Sequence, residues 1–299
     1  MTLRPWKVIS AIILTLAVLF ASRFIQSHKD RPIEITAKTS AFTMKHTASF
    51  VHAGKDTSPL FTVRVSGPKA PGAFKVFLMY RPEMEVKENI GVNFIRQEAP
   101  LGEDALDDYE VWLTPYAAGK KLDYYFRAEL PDSTLLAILP ENAESNDETL
   151  PFRFEGIPPA WLVIVQYGFM VAALFTASLL LFSAFGLTAN TPTIKLFSKQ
   201  VLWTTVFLVL GAGLFHIWLA RIVHDGLGWG GWPIGKFSLV DTVAQIAMLY
   251  WIVLTILLKG SVFAGRESCN LVSVGTARML GIVGYILVVV ILVVLQFLA

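Results

Sequence analysis

Five long apolar runs constrain the fold of this chain more than any other feature. They are Trp6–Ile25, Pro158–Leu187, Val201–Ala220, Phe237–Leu258 and Met279–Ala299. Each run has about 20 residues or more, the length that lets a helix cross the roughly 30 Å hydrocarbon core of a bilayer. The mean hydropathy of the whole chain, +0.56, also agrees with a membrane protein. We therefore expect five transmembrane helices, one N-terminal and four C-terminal.

The first run resembles a signal sequence, because it begins close to Arg4 and Lys7. Leu19 and Ala21 make a poor small-x-small cleavage site, however. We therefore expect an uncleaved signal anchor over residues 1–29, followed by an outer-side domain over 30–157. The four C-terminal helices then occupy residues 158–299, with an outer loop at 221–236.

Residues 30–157 have a different pattern, in which apolar and polar side chains alternate between turn residues. A period of two with one solvated face indicates antiparallel strands. The predicted strands are Ile33–Ala37, Phe42–His52, Leu60–Ser66, Phe74–Arg81, Ile90–Gln97, Tyr109–Thr114, Leu122–Leu130 and Leu150–Phe154. Many short strands with this spacing predict a β-sandwich, and the segment resembles an immunoglobulin or fibronectin-III type domain. The predicted fold class is α+β, and the resemblance implies binding rather than chemistry.

The charge is divided unevenly between these two parts. Residues 30–157 hold 14 Lys/Arg and 20 Asp/Glu, a net charge of −6, and the remaining 11 basic and 3 acidic residues give +8. An acidic block without a basic cluster argues against nucleic-acid binding. If the N-terminus is cytoplasmic, loop 221–236 carries only Arg221 and Lys236 on the outer side, and most other flanking basic residues lie inside. The positive-inside rule then predicts that the β-domain and the C-terminus lie on the outer side. We expect a bacterial inner-membrane protein, in which that side is the periplasm.

Residues 216–241 are the predicted site, because they combine two histidines with the acid of the fourth apolar run. His216 and His224 lie eight residues apart, on one face of a continuous helix and about 12 Å apart along its axis. A bis-histidine haem needs ligands on both sides of one iron, and the other four apolar runs contain no histidine. We therefore predict no cofactor for this chain alone, and expect His216 to bond a neighbouring helix. A haem or pigment shared with another subunit through His216 or His224 remains an alternative.

Asp241 lies near the start of the fourth run, about one turn below the outer interface. An ionisable group inside a membrane helix is costly unless it is paired or hydrated, so Asp241 is a functional candidate. The structural alternative, which we favour, pairs Asp241 with Arg221 or caps the loop with it.

The loop before Asp241 is rich in Gly and Trp, and includes Trp229, Gly231, Trp232 and Pro233. Trp is common at the headgroup level of membranes, so an interfacial turn against lipid or a partner is expected. The stretch resembles a Trp-Gly-x-Pro-x-Gly motif before an acid-bearing helix in bacterial membrane proteins of unassigned activity. Those proteins pair an outer β-domain with a C-terminal helix bundle. Here Lys236-Phe237-Ser238 replaces the usual acids, and the resemblance implies no activity.

Other patterns predict structure rather than chemistry. Met44, His46 and His52 lie on one predicted strand face that is otherwise apolar, so core packing is favoured over a copper site. Small residues, including Gly281 and Gly284, favour close helix packing, and the last helix after Gly284 is predicted to face lipid. The lone Cys269 excludes an intrachain disulfide and a thiolate metal cluster, so no structural metal is expected.

The function that we predict from these patterns is a non-catalytic accessory subunit of a membrane complex, with an electron-transfer complex as the favoured host. Its partners would be other integral membrane subunits, lipid, and an outer-side protein docked on the β-domain. Two alternatives stay open. One is a transporter or channel component that uses Asp241 and the loop at 226–233, and the other is a membrane redox protein that ligates haem or pigment through His216 or His224.

Overall fold

The computed structural model describes residues 4–29, 33–39, 42–49, 51–53, 57–67, 74–82, 94–102, 107–146, 148–188, 191–224, 239–264 and 267–298. The chain is α+β and divides into two compact units. The helical unit comprises residues 1–30, 158–221 and 227–299, and the β unit comprises residues 31–157 with 222–226.

The β unit contains two sheets. Its strands are β1 Ile33–Lys38, β2 Thr43–Ala48, β3 Val51–Ala53, β4 Leu60–Ser66, β5 Lys75–Pro82, β6 Ile95–Ala99, β7 Asp108–Trp112, β8 Lys121–Glu129, β9 Leu135–Leu139 and β10 Leu150–Glu155. One sheet has the order β1-β2-β4-β7, and the other β3-β10-β8-β5-β6 with β9 paired to β8. The predicted strand Phe42–His52 is in fact two strands, because the chain changes sheets between Ala48 and Val51.

A single hydrophobic core joins the two sheets. It takes alternate side chains from each, such as Met44 and Phe61 from the first sheet and Tyr124 and Phe126 from the second. This is the alternation that the sequence predicts, since side chains one residue apart point to opposite faces of a strand. Ring contacts add to the core, for example Phe61 with Tyr124 at a centroid distance of 4.9 Å.

The outer face of β8 is less exposed than its alternation predicts. Tyr125 and Glu129 occupy the odd positions, which were expected to be solvated, yet both are buried. The short helix α2, Ala143–Asn146, supplies Glu144, which accepts a hydrogen bond from the Tyr125 hydroxyl at 3.1 Å. Arginine side chains cover Glu129. Side chains from distant parts of the sequence thus bury a face that the local pattern marks as polar.

The helical unit consists of long apolar helices. They are α1 Pro5–Lys29, α3 Ala160–Phe185, α4 Thr191–Leu208, α5 His216–His224, α6 Leu239–Leu257 and α7 Val274–Leu298. A π-helical segment, Val209–Phe215, joins α4 to α5. Within the described residues, Pro5–Phe24, Ala160–Phe185, Thr193–Val223 and Val274–Leu292 are long and apolar enough to cross a membrane, and Thr242–Leu257 is a shorter apolar helix.

Small residues allow the helices to approach one another closely. A Cβ atom on Gly281 would lie 2.7 Å from Phe197 Cζ, and one on Gly284 would lie 2.8 Å from Trp251 Cζ2. This agrees with the close packing predicted at these glycines. The prediction that the last helix faces lipid after Gly284 is wrong for Val288, which is fully buried. It also fails for Ile291 and Leu292, which pack into the same core.

Candidate functional site

The predicted site falls only partly within the described residues. Trp229, Gly231, Trp232 and Pro233 lie outside them. The backbones of His224 and Asp241 are described, at the end of α5 and near the start of α6, but their side chains are not. Arg221 is described and exposed. The proposed pairing of Asp241 with Arg221 therefore stays a prediction.

His216 is a predicted site residue with a described side-chain contact. It begins α5 directly after the π-helical segment, whose residues Gly211 and Gly213 are buried. A Cβ on Gly211 would lie 3.0 Å from Phe169 Cβ, so the segment packs tightly on α3. This packing brings His216 beside Gln166 of α3.

The Gln166 amide nitrogen lies 3.2 Å from His216 Nδ1 and can donate to it. In a neutral imidazole, Nδ1 is then the acceptor and Nε2 carries the proton. His216 is thus hydrogen-bonded to a neighbouring helix. Because a metal binds the nitrogen that lacks a proton, ligation by His216 Nε2 requires the other tautomer. The haem or pigment alternative stays a prediction.

Polar side chains connect the interior of the helical unit. The Thr204 hydroxyl donates to that of Thr176 at 2.9 Å, which joins α4 to α3. Thr205 lies 2.8 Å from the Thr255 hydroxyl and bonds the Trp251 carbonyl at 3.1 Å, which joins α4 to α6. Among the described side chains of the helices, the buried polar groups are all neutral. Such hydrogen bonds hold helices together in an apolar environment, and each adds modestly to the stability of the bundle.

Several buried polar atoms of the same unit have no hydrogen-bond partner among the described residues. They are Thr15 Oγ1, Ser183 Oγ, Ser198 Oγ, both amide atoms of Gln200, Gln245 Nε2 and Trp251 Nε1. Gln200 is only 6% exposed. An unsatisfied buried polar group costs about 1–3 kcal/mol, so a set of them requires an explanation.

Neighbouring contacts show which way Gln200 faces. Phe197, three residues earlier, meets Gly281 of α7, and Thr204, four residues later, bonds Thr176 of α3. Residues three and four apart share a helix face, so Gln200 faces α3 and α7. This neutral amide can hold water or a polar neutral group. Sequence analysis missed it, because a Gln next to Lys199 at the edge of an apolar run is ordinary.

His46 is a buried titratable group of the β unit. Its Nδ1 lies 2.6 Å from the Thr62 carbonyl oxygen, and its Nε2 lies 2.8 Å from the Tyr124 hydroxyl. A carbonyl only accepts, so Nδ1 carries the proton and Nε2 accepts from Tyr124. Burial lowers the pKa of His46, partly opposed by the bond to Thr62. Burial also raises the pKa of Tyr124 well above its ordinary range.

Core packing was predicted for Met44, His46 and His52, and it holds for the first two, whereas His52 is only half-buried. Met44 and His46 are buried in the β-unit core. His52 lies in β3, on the other sheet, and bonds the Thr57 carbonyl oxygen at 2.8 Å. The histidines that the sequence placed on one strand face are therefore in different sheets. Among the described residues, no three His, Cys, Asp or Glu side chains are grouped to hold a metal ion.

On the outer face of the six-stranded sheet, the buried carboxylate of Glu129 forms ion pairs with two arginines. Glu129 accepts from Arg96 at 2.7 Å and from Arg127 at 2.5 Å, and Arg127 also reaches Glu144 at 2.6 Å. The Arg96 guanidinium lies 3.6 Å from the Phe77 ring centroid. The carboxylate is matched by two cations, which is the arrangement of a structural network.

No protein-family model matches this chain, and a search of the curated proteins finds no match. The basis for a functional assignment is therefore the chemistry of the described residues. In the helical unit these offer neutral hydrogen bonds and packing surfaces, and in the β unit they offer structural ion pairs around a closed core.

Proposed function

We propose that this protein is a non-catalytic subunit that braces a larger assembly in the bacterial inner membrane, with an electron-transfer complex as its host. Four helices with the length and composition of membrane spans support its placement in a bilayer. The distribution of Lys and Arg supports a cytoplasmic N-terminus and a periplasmic β unit. Two sheets around one core support an immunoglobulin-like sandwich, which would dock an outer-side protein.

The observation that carries the proposal is an uncovered small residue on α3, Gly168, here called the notch. Gly168 is exposed, and a Cβ atom placed on it would meet nothing within 4 Å. Trp161 and Ile164 lie on the same helix face and are 50% and 69% exposed. The Trp161 ring contacts Trp218 of α5 at a centroid distance of 5.3 Å. Small residues on membrane helices allow close approach of another helix, so this face suits a helix of a partner subunit.

Filling the notch tests the proposal. We expect Gly168→Ile to lower the amount of co-purifying membrane subunits at least about tenfold, because the added side chain keeps the partner helix away. The chain itself should fold normally, since no atom lies near the new Cβ. The measurement is a pull-down of the tagged full chain in mild detergent, with the bound subunits identified and quantified.

Gly275→Ile is the matched control. Gly275, in α7, is also exposed, and a Cβ atom there would meet only Ser273 Oγ, at 3.9 Å. The control should keep the partners that Gly168→Ile loses. A wild-type chain that purifies alone, as a monomer or homo-oligomer, would overturn the accessory-subunit proposal. Equal recovery of partners with both variants would place the docking surface elsewhere.

A second candidate function, a channel component, is favoured by the unpartnered polar atoms inside the helical unit. Gln200 carries two of them, and water along a path between helices would satisfy both. We expect Gln200→Leu to reduce the osmotic water permeability of proteoliposomes to that of protein-free vesicles if the path exists. If no water reaches Gln200, the variant should instead be more stable by about 1–2 kcal/mol, because it removes a buried unsatisfied amide.

Thr255→Val serves as the control for this variant. Its hydroxyl is already bonded within the bundle, so its loss should lower stability and leave the permeability unchanged. Wild-type vesicles no more permeable than protein-free ones would overturn the channel candidate. Gln200 would then be a core residue with a stability cost, and the subunit proposal would be unaffected.

A further inference from the structure

The β unit has one end at which the chain both enters and leaves it. β1 begins at Ile33, soon after α1 ends at Lys29, and β10 ends at Glu155, shortly before α3 begins at Ala160. Ile33 pairs with Ala48 at the end of β2. β3 then continues in parallel with β10. The start of β1 and the end of β10 are therefore at the same end of the unit, here named the junction end.

Strand register places further residues at the junction end. β4 runs antiparallel to β2, so its first residue, Leu60, lies beside the end of β2. Leu60 pairs with Trp112, the last residue of β7. Val51, the first residue of β3, pairs with Arg153 near the end of β10.

Apolar side chains are exposed at the junction end. Five of the eight large exposed hydrophobic residues described in the β unit lie there: Ile33 at 52%, Val51 at 41%, Leu60 at 41%, Trp112 at 59% and Ile157 at 66%. Elsewhere on the outer face of the four-stranded sheet the side chains are polar, such as Thr62 and Arg64 next to Leu60 on β4. An exposed cluster of this kind marks a contact surface.

The charged residues at this end are mainly basic. Lys120 and Lys121 are both exposed at the start of β8, and Lys121 pairs with Arg153 of β10. The nearby acids include Glu155, which forms an ion pair with Arg153, and Glu34, which pairs with Lys45 at 3.2 Å. At the opposite end, Asp132 and Glu141 are exposed, with Lys38 beside Glu141. Lysines beside Trp and aliphatic side chains are the composition of a surface that lies at a membrane interface.

We propose that the junction end rests in the headgroup layer of the bilayer, with Trp112 and Leu60 at the acyl boundary and Lys120 and Lys121 at anionic phosphates. This inference rests on the proposed membrane embedding of the helices. Lipid is the occupant because both connections to the apolar helices leave from this end. The first is short, since four extended residue steps from Lys29 to Ile33 reach at most about 14 Å.

A spin label at Leu60 tests this contact in the full chain. Cys269 is replaced with Ser, and a nitroxide is attached to Leu60→Cys in proteoliposomes that contain anionic lipid. Collisions with oxygen, which concentrates in lipid, are compared with collisions with a water-soluble nickel chelate. We expect the oxygen-to-nickel ratio at Leu60 to be several-fold above that of Lys38→Cys, a control that lies at the opposite end of β1. The ratio should fall in vesicles of zwitterionic lipid alone, because the lysines lose their anionic partners.

A label at Ile286→Cys on α7, which is 54% exposed and lies outside the proposed docking face, separates the two proposals. A lipid-like ratio there with an aqueous ratio at Leu60 would overturn the headgroup contact and leave membrane embedding intact. An aqueous ratio at Ile286 would overturn embedding and this inference together. Low collision rates of both reagents at Leu60 would show that protein covers it, which would also overturn the lipid contact.

Discussion

Gly281→Leu is expected to destabilise the helical unit by about 3 kcal/mol or more, at or beyond the upper end for overpacked cores. The first added carbon would already lie 2.7 Å from Phe197 Cζ and 2.9 Å from Leu180 Cδ2. Phe197 and Leu180 are both fully buried, so neither can move into solvent. Thermal unfolding in mild detergent, followed by tryptophan fluorescence, measures the loss, and Gly281→Ala should fall between the variant and the wild type.

The control for this prediction is Gly275→Leu on the same helix. Its side chain would enter open space, so its unfolding temperature should match that of the wild type. If Gly281→Leu unfolds at the same temperature as the control, α7 does not pack against α3 and α4 through Gly281. Both variants add the same side chain to α7, so a difference between them reports packing rather than helix propensity.

The β unit is expected to lose stability as the pH falls below about 6.5, the ordinary pKa of histidine. The pKa of His46 is lowered in the folded state, so below pH 6.5 the unfolded chain binds a proton that the folded chain does not. Stability is therefore complete above pH 6.5 and declines by at most about 1.4 kcal/mol per pH unit, until the pH reaches the folded pKa. Hydrogen exchange of the β8 peptide at several pH values measures this decline in the stability of the β unit.

His46→Phe isolates this contribution from the carboxylates that titrate over the same range. The variant keeps a ring between Tyr124 and Phe126 but has no group to protonate. It loses the bond from Tyr124, so we expect it to be less stable than the wild type at pH 7 by about 1–3 kcal/mol. The difference between the two proteins should shrink as the pH falls from 6.5. A constant difference would show that His46 does not govern the acid sensitivity.

The alternation of apolar and polar residues predicted most strands well. It did not predict which side chains from other segments bury the outer face of a strand. Leu60–Ser66 has the predicted bounds, because a simple alternation around one core determines it. β9, Leu135–Leu139, was not predicted, since its residues do not alternate in polarity. Its hairpin with β8 turns at Ser133, which has a positive φ of 68° that serine seldom adopts. Tyr125 is buried by Glu144, a residue that the strand pattern does not contain.

The sequence identified site residues only where a titratable side chain, such as that of His216, interrupts an apolar run. His216 is placed between helices, as its chemistry led us to expect, and Gln166 is its partner. Gln200 was overlooked because it lies between Lys199 and the third apolar run, where a polar residue is ordinary, and only its three-dimensional neighbours reveal that it is buried. The burial of Val288 was missed for a similar reason, since an all-aliphatic helix has no polar face from which to infer orientation.

The π-helical segment at Val209–Phe215 sets the rotation of α5 about its axis relative to α4. A turn closed by i→i+5 bonds holds one residue more than an α-turn. Each residue rotates a helix by about 100°, so one extra residue rotates α5 by that angle while the helix stays continuous. The pairing of His216 with Gln166, and of Trp218 with Trp161, therefore depends on chain length as well as on residue type. A single deletion in this segment would keep every one of those side chains and point them at different neighbours.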